Sequence, residues 1–140
     1  MNSSPILLPV IILVLWSLVV LTWMAWARLP AMRKARMPPS AGERTAELAT
    51  QMDKHIQWKA DNYNHLMEQP TIFYATTLVL ALIGQGDGIN LYLAWFYVGC
   101  RVVHSIVQGT NNKVMVRFSI FALSSVALLA LAINALMALC

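Results

Sequence analysis

The sequence predicts an all-α membrane protein, a bundle of four transmembrane helices with up-down topology. Three observations carry that prediction. Of the 140 residues, 59% are hydrophobic and only 11% charged, well short of the roughly 25% charged residues of a soluble domain. The apolar residues are gathered into four runs, and most charges fall between the runs. A helix rising about 1.5 Å per residue needs roughly 20 apolar residues to cross the hydrocarbon core, and four such segments use most of the chain. One domain over residues 1–140 is therefore expected, with helices near 6–27, 64–83, 89–107 and 115–139.

The first helix, Ile6 to Ala27, is uncharged. Its end at Ala25, Trp26 and Ala27 superficially resembles the small-residue cleavage site of a signal peptide. The preceding residues Met1 to Ser4 carry no positive charge, the run is longer than a signal core, and basic residues follow instead of leading. An uncleaved membrane helix is expected on these grounds. A polar connection follows from Arg28 to Asp61, broken early by Pro38 and Pro39, and its part beyond Gly42 shows weak amphipathic spacing.

The second apolar run, Thr71 to Ile83, is too short to cross alone, so the span must recruit Asn64 to Gln69 and carry Glu68 into or near the membrane. Pro70 removes a backbone donor and is expected to kink this helix. Gly84, Gln85, Gly86, Asp87 and Gly88 form a tight turn, which makes spans two and three an antiparallel hairpin. Span three, Ile89 to Val107, is apolar and aromatic apart from Arg101 and His104, and span four is nearly all apolar after Arg117.

Charge orients the bundle. The connection between spans one and two holds Arg28, Arg33, Lys34, Arg36, Arg44, Lys54 and Lys59; the link before span four holds Lys113 beside Arg117; the glycine-rich turn holds no Lys or Arg. The positive-inside rule places the two basic connections in the cytoplasm and both termini outside, in the inner membrane if the cell is bacterial. The net charge of +4 is thus topological, with some attraction to anionic lipid, and no nucleic-acid partner is expected because no basic patch is interleaved with aromatics. Trp23, Trp26 and Tyr92 suit interfacial belts or packing. Cys100 and Cys140 cannot define a disulfide framework, no Cys/His spacing suits a metal, and no phosphate loop or hydrolase motif is present.

This topology gives a test of depth. Glu68 opens span two, Arg101 and His104 lie toward the inner end of span three, and Arg117 opens span four. All four fall in the cytoplasmic leaflet, where ionisable groups on three helices can bind a polar ligand beside lipid. Arg101, His104 and Gln108 share one helical face, as do Asn64 and Glu68. Arg101 can grip a carboxylate, and Glu68 can accept from an arginine or a ligand ammonium. Arg101 and Glu68 are expected to hold one another and shape the polar end of the pocket; the plainer alternatives are that this ion pair is purely structural, that Arg117 snorkels to the headgroups, and that His104 is a neutral buried hydrogen-bonding group. Cys100 reads as packing.

The segment Asn64-His65-Leu66-Met67-Glu68-Gln69-Pro70, the Arg101 to His104 spacing in span three, and Arg117 opening the last span together resemble the MAPEG family, the membrane-associated proteins of eicosanoid and glutathione metabolism. The likeness covers residues 60–125 at motif level and the whole chain in topology. It implies a MAPEG-like homotrimer of four-helix subunits, binding glutathione between subunits near the cytoplasmic side and taking a lipophilic small-molecule ligand from the membrane lipid. Arginines in such a site lower the thiol pKa, the requirement for conjugation. The resemblance carries over a catalytic role to Arg117 and ligand binding to Asn64, His65, Glu68, Arg101, His104 and Gln108. The chain departs from the family pattern in three places. Asp61, Asn64 and His65 stand where a basic cluster is usual, Gln108 where a Tyr often follows the third-helix His, and Phe121 where a second Tyr is frequent. Two classes therefore stay open: a glutathione transferase or peroxidase acting on lipophilic electrophiles, and a non-catalytic protein that binds lipid or presents it to a partner. A small multidrug transporter would want a carboxylate deep in a helix, whereas Glu68 lies at an end.

Overall fold

A computed structural model describes residues 3–140. Among them are five α-helices and one short 3-10 turn, with no strand: α1 (Leu7–Lys34), the turn Pro39–Gly42, α2 (Thr45–Gln51), α3 (Lys54–Leu82), α4 (Gly88–Thr110) and α5 (Val114–Leu139). Four helices are long and α2 spans 7 residues. Two of the long ones, α1 and α5, are apolar enough over sufficient length to cross a membrane. The centre of the bundle is α3 and α4; α1 packs on both, and α5 packs chiefly on α4 with a smaller contact to α3.

Each long helix buries one stripe at heptad-like spacing. In α3 it is Leu66, Phe73 and Leu80; in α1, Leu13 and Val20; in α4, Ala94, Tyr97 and Val98; in α5, Leu128 and Leu131. Side chains three, four or seven apart share a helix face, so the stripes meet in one core, where the Phe73 and Tyr97 rings stack at 4.4 Å. The outer faces are also apolar: Leu8, Leu15, Leu18, Ile72, Leu129 and Leu136 stand exposed. A soluble monomer does not present apolar surface on this scale, whereas lipid solvates it.

The helices at the polar end are longer than the apolar runs suggest. α1 continues past Ala27 to Lys34, through Pro30. α3 starts at Lys54 instead of Asn64, because Asp53 caps it by accepting a 2.8 Å hydrogen bond from the His55 amide. Nothing in the polar turns that follow breaks a helix. With 29 residues α3 is about 44 Å long, beyond a hydrocarbon core of about 30 Å. It also runs unbroken through Pro70. The connection expected between spans one and two is thus largely helical, reduced to residues 35–53 with the Pro39–Gly42 turn and α2 inside it.

At the other end, Gly84 and Gly88 take positive φ of 74° and 53°, the left-handed region glycine enters without strain, and turn the chain from α3 into α4. The N-terminal segment is clasped to this turn. The Ile6 amide donates to the Gly86 carbonyl at 3.0 Å, and Gly86 lies so close to Ser4 and Ile6 that no side chain fits there. Asn134 Nδ2 donates to Asn90 Oδ1 at 2.7 Å, joining α5 to α4. Trp26 and Tyr92 face outward. Trp23 instead packs against Gly109, where an added Cβ would lie 2.5 Å from its ring.

Candidate functional site

α4 carries the polar face. Its buried stripe continues from Tyr97 through Arg101, His104, Ser105 and Gln108, so the face shared by Arg101, His104 and Gln108 points into the protein. Hydrogen bonds tie it to α3. Asn62 Nδ2 donates to the Ser105 carbonyl at 3.0 Å, and Arg101 Nη2 donates to the His65 carbonyl at 3.2 Å. Arg101 is 0% exposed, yet its Nε and Nη1 have no partner among the described residues. Its guanidinium carbon sits 5.9 Å from the Phe121 ring centroid. A buried cation left this way costs several kcal/mol unless an anion or further acceptors meet it.

The imidazoles of His65 and His104 lie 4.8 Å apart and tilted by 37°. His65 also meets Phe121 at 5.7 Å. His65 Nδ1 and Glu68 Oε2 are 3.1 Å apart, one helical turn from each other on α3. Beside them opens a cavity of about 300 Å³ lined by His65, His104, Gln108, Arg117, Phe118 and Phe121, with Val114 at its edge. Its lining is part polar and cationic, part aromatic. Three helices supply it, as equal depth required.

Two expected relations are corrected. The Arg101–Glu68 ion pair does not form: Glu68 turns to His65, and Arg101 spends its one hydrogen bond on a backbone carbonyl. Arg101 also lies behind the cavity wall, enclosed, and is not among the lining residues. It can act on a ligand there through its field but does not clamp it directly. Asn64 lines a different hollow, of about 530 Å³, with Met24, Arg28, Gln57 and Asp61. It shares a helix with Glu68 but not a cavity with His104.

Sequence reasoning missed the support beneath the site. Tyr97 Oη donates to Gln69 Oε1 at 3.2 Å, Gln69 Nε2 donates to Ser125 Oγ at 2.8 Å, and Ser125 Oγ donates to the Phe121 carbonyl at 2.8 Å. This chain links α4, α3 and α5 and fixes the turn of α5 that holds Phe121. A polar Gln and Ser inside otherwise apolar helices were the available signal. The aromatic wall of Phe118 and Phe121 was equally unmarked, since lipid-facing and cavity-facing Phe read alike.

A family model matches this chain over residues 6–137, and its description is the MAPEG family. The chain belongs to the MAPEG family. Nearly the whole chain is covered, including all of the cavity-lining residues, and membership together with α1 and α5 makes this a membrane protein. No curated protein and no solved structure matches it significantly.

Proposed function

We propose that this MAPEG protein is a glutathione-dependent transferase or peroxidase for lipophilic electrophiles, working as a homotrimer of four-span subunits with both termini outside and the basic connections in the cytoplasm. The observation that carries the reading is the enclosed Arg101, two of whose nitrogens lack partners, directly behind a cavity that adds Arg117 and two imidazoles. Such a field favours a ligand with carboxylates and an ionisable thiol. At about 300 Å³ the cavity is at the small end of ligand sites, roughly 300–1,000 Å³. It is open, which suits completion by a neighbouring subunit and access for a lipophile along the Phe118 and Phe121 wall.

In this reading Arg117 stabilises the thiolate and Arg101 adds to the potential from behind. Gln108 Oε1, buried without a partner, accepts from a ligand amide, and His104 contributes a ring nitrogen. Glu68 gives one carboxylate oxygen to His65, and its other oxygen takes the ligand ammonium. Asn64 reaches the ligand only from its separate hollow, across a subunit boundary. Titration calorimetry of glutathione into the detergent-purified protein tests the proposal: saturable binding that Arg117→Ala abolishes supports it. Absence of heat up to millimolar glutathione would favour the second reading, a lipid-binding or partner-presenting protein of the same fold. Gln108 and Phe121 in place of the family's tyrosines favour that alternative.

A further inference from the structure

His65 is the most constrained titratable group in the cavity that the reading above leaves without a chemical role. Its Nδ1 faces a carboxylate oxygen of Glu68 at 3.1 Å. An ionised carboxylate has no proton to give, so Nδ1 carries the hydrogen and Nε2 keeps the lone pair. The ring packs against two others, His104 at 4.8 Å and Phe121 at 5.7 Å. Its own backbone is held as well, through the Arg101 hydrogen bond to the His65 carbonyl. Nε2 has no hydrogen-bond partner among the described residues, and the residue lines the cavity. A carboxylate that fixes tautomer and orientation, an imidazole packed against rotation and a free nitrogen at a ligand cavity are the components of a general base.

We infer that Glu68 and His65 form a carboxylate–imidazole dyad whose His65 Nε2 takes the proton of a thiol substrate bound in the cavity. The inference rests on the reading proposed above and assigns a step to it. In the step, His65 Nε2 accepts the thiol proton while Nδ1–H stays on Glu68. Sulfur bonds to the β-carbon of an α,β-unsaturated carbonyl, whose π pair moves toward the carbonyl oxygen. The α-carbon then takes the proton back from Nε2. One S–H and one C=C π bond are lost, one C–S and one C–H bond are gained, and nothing is oxidised or reduced. The charged or titratable groups around the ring are Glu68 on α3, Arg101 and His104 on α4, and Arg117 on α5. Arg117 is placed to hold the thiolate after proton transfer and Arg101 adds its field from behind the wall, while Glu68 balances the imidazolium.

The test compares wild type, His65→Gln and Glu68→Gln by three readings in detergent. S-hexylglutathione, which has no ionisable thiol, reports binding by calorimetry; ultraviolet absorbance reports thiolate formed when glutathione binds; conjugation of a long-chain α,β-unsaturated aldehyde reports turnover against pH. His65→Gln is expected to bind S-hexylglutathione within threefold of wild type, to lose the thiolate signal at neutral pH, and to conjugate about 100-fold more slowly. Its rate should recover as pH approaches the ordinary thiol value of about 8.5. Glu68→Gln should fall between the two in thiolate signal and rate, and should bind S-hexylglutathione more weakly than either because it also loses the ammonium contact. A full thiolate signal and an unchanged pH profile in His65→Gln would overturn the dyad while leaving the glutathione reading intact. Wild type that fails to bind S-hexylglutathione removes both. If His65→Gln does not assemble, Glu68→Gln decides, and wild-type behaviour in it overturns the dyad.

Discussion

Replacing Arg101 by methionine keeps most of the side-chain length, removes the charge, and separates what this residue does for the fold from what it does for a ligand. Arg101 is 0% exposed and makes one hydrogen bond, to the His65 carbonyl; such a bond to a charged donor contributes about 1.5–3 kcal/mol. Its contact with Phe121 at 5.9 Å adds about 0.5–2 kcal/mol. Against these stands the desolvation of an ion with two unmet nitrogens, several kcal/mol. Replacing buried ion pairs by apolar residues is often neutral or stabilising by about 1–4 kcal/mol, and removing this unpaired buried cation from the ligand-free protein should act in the same direction. At about 2–4 °C per kcal/mol, thermal unfolding in detergent, followed by circular dichroism, should shift upward by several degrees. Glutathione binding should weaken at least tenfold in the same variant. A fall in unfolding temperature of similar size would refute the reasoning, because it would mean the guanidinium is already compensated in the resting protein. The double variant with Glu68→Gln supplies a second check. Because both residues bond to His65, Glu68 to its ring and Arg101 to its carbonyl, the two changes should couple modestly, by about 0.5–1 kcal/mol, whereas a directly contacting buried pair would couple more strongly.

Gly109→Ala should destabilise by about 1–3 kcal/mol through overpacking, since its Cβ would lie 2.5 Å from the Trp23 ring. Gly99→Ala, which meets nothing within 4 Å, should be neutral or stabilising by up to about 1 kcal/mol in the same thermal assay. Gln69→Leu leaves the Tyr97 hydroxyl without its acceptor and should cost about 1–3 kcal/mol; adding Tyr97→Phe should restore part of that, and an additive double variant would disprove the link. Cys140 is exposed and reports topology directly. In a Cys100→Ser background, a membrane-impermeant maleimide should label it from the outside of intact cells, and labelling only after permeabilisation would reverse the proposed orientation. Native mass spectrometry should give trimers; monomers or dimers alone would contradict the assembly.

The all-helical class was legible because long apolar runs survive any detail of packing, and the family because the Asn64–Pro70 segment, the Arg101–His104 spacing and Arg117 resemble its motifs. So was the inward face of α4, since Arg101, His104 and Gln108 at three- and seven-residue spacing can only point one way together. Helix ends were not. Hydrophobicity reports where lipid begins, but backbone hydrogen bonding continues into water, as in the turns of α3 between Asp53 and Asn64. The choice of partners was also hidden. Glu68 lies within reach of several basic groups, and only side-chain geometry decides that His65, one turn away, takes it and leaves Arg101 facing a carbonyl. Asn64 was grouped with Glu68 because a four-residue spacing puts both on one face, yet Asn64 lines a separate hollow and Glu68 lines neither, reaching the His104 cavity only through His65.

The division of labour among the helices bears on how the chain enters a membrane during synthesis. α1 and α5 are apolar throughout their spans and can partition into lipid on their own. α4 cannot do so as cheaply, because an arginine near a helix centre raises the insertion cost by about 2.5 kcal/mol or more. Its relief is the neighbouring helix, whose His65 carbonyl meets the guanidinium and whose connection to α4 is a turn of a few residues built on Gly84 and Gly88. The turn keeps α3 and α4 next to each other, so that the Arg101 face of α4 is covered by α3.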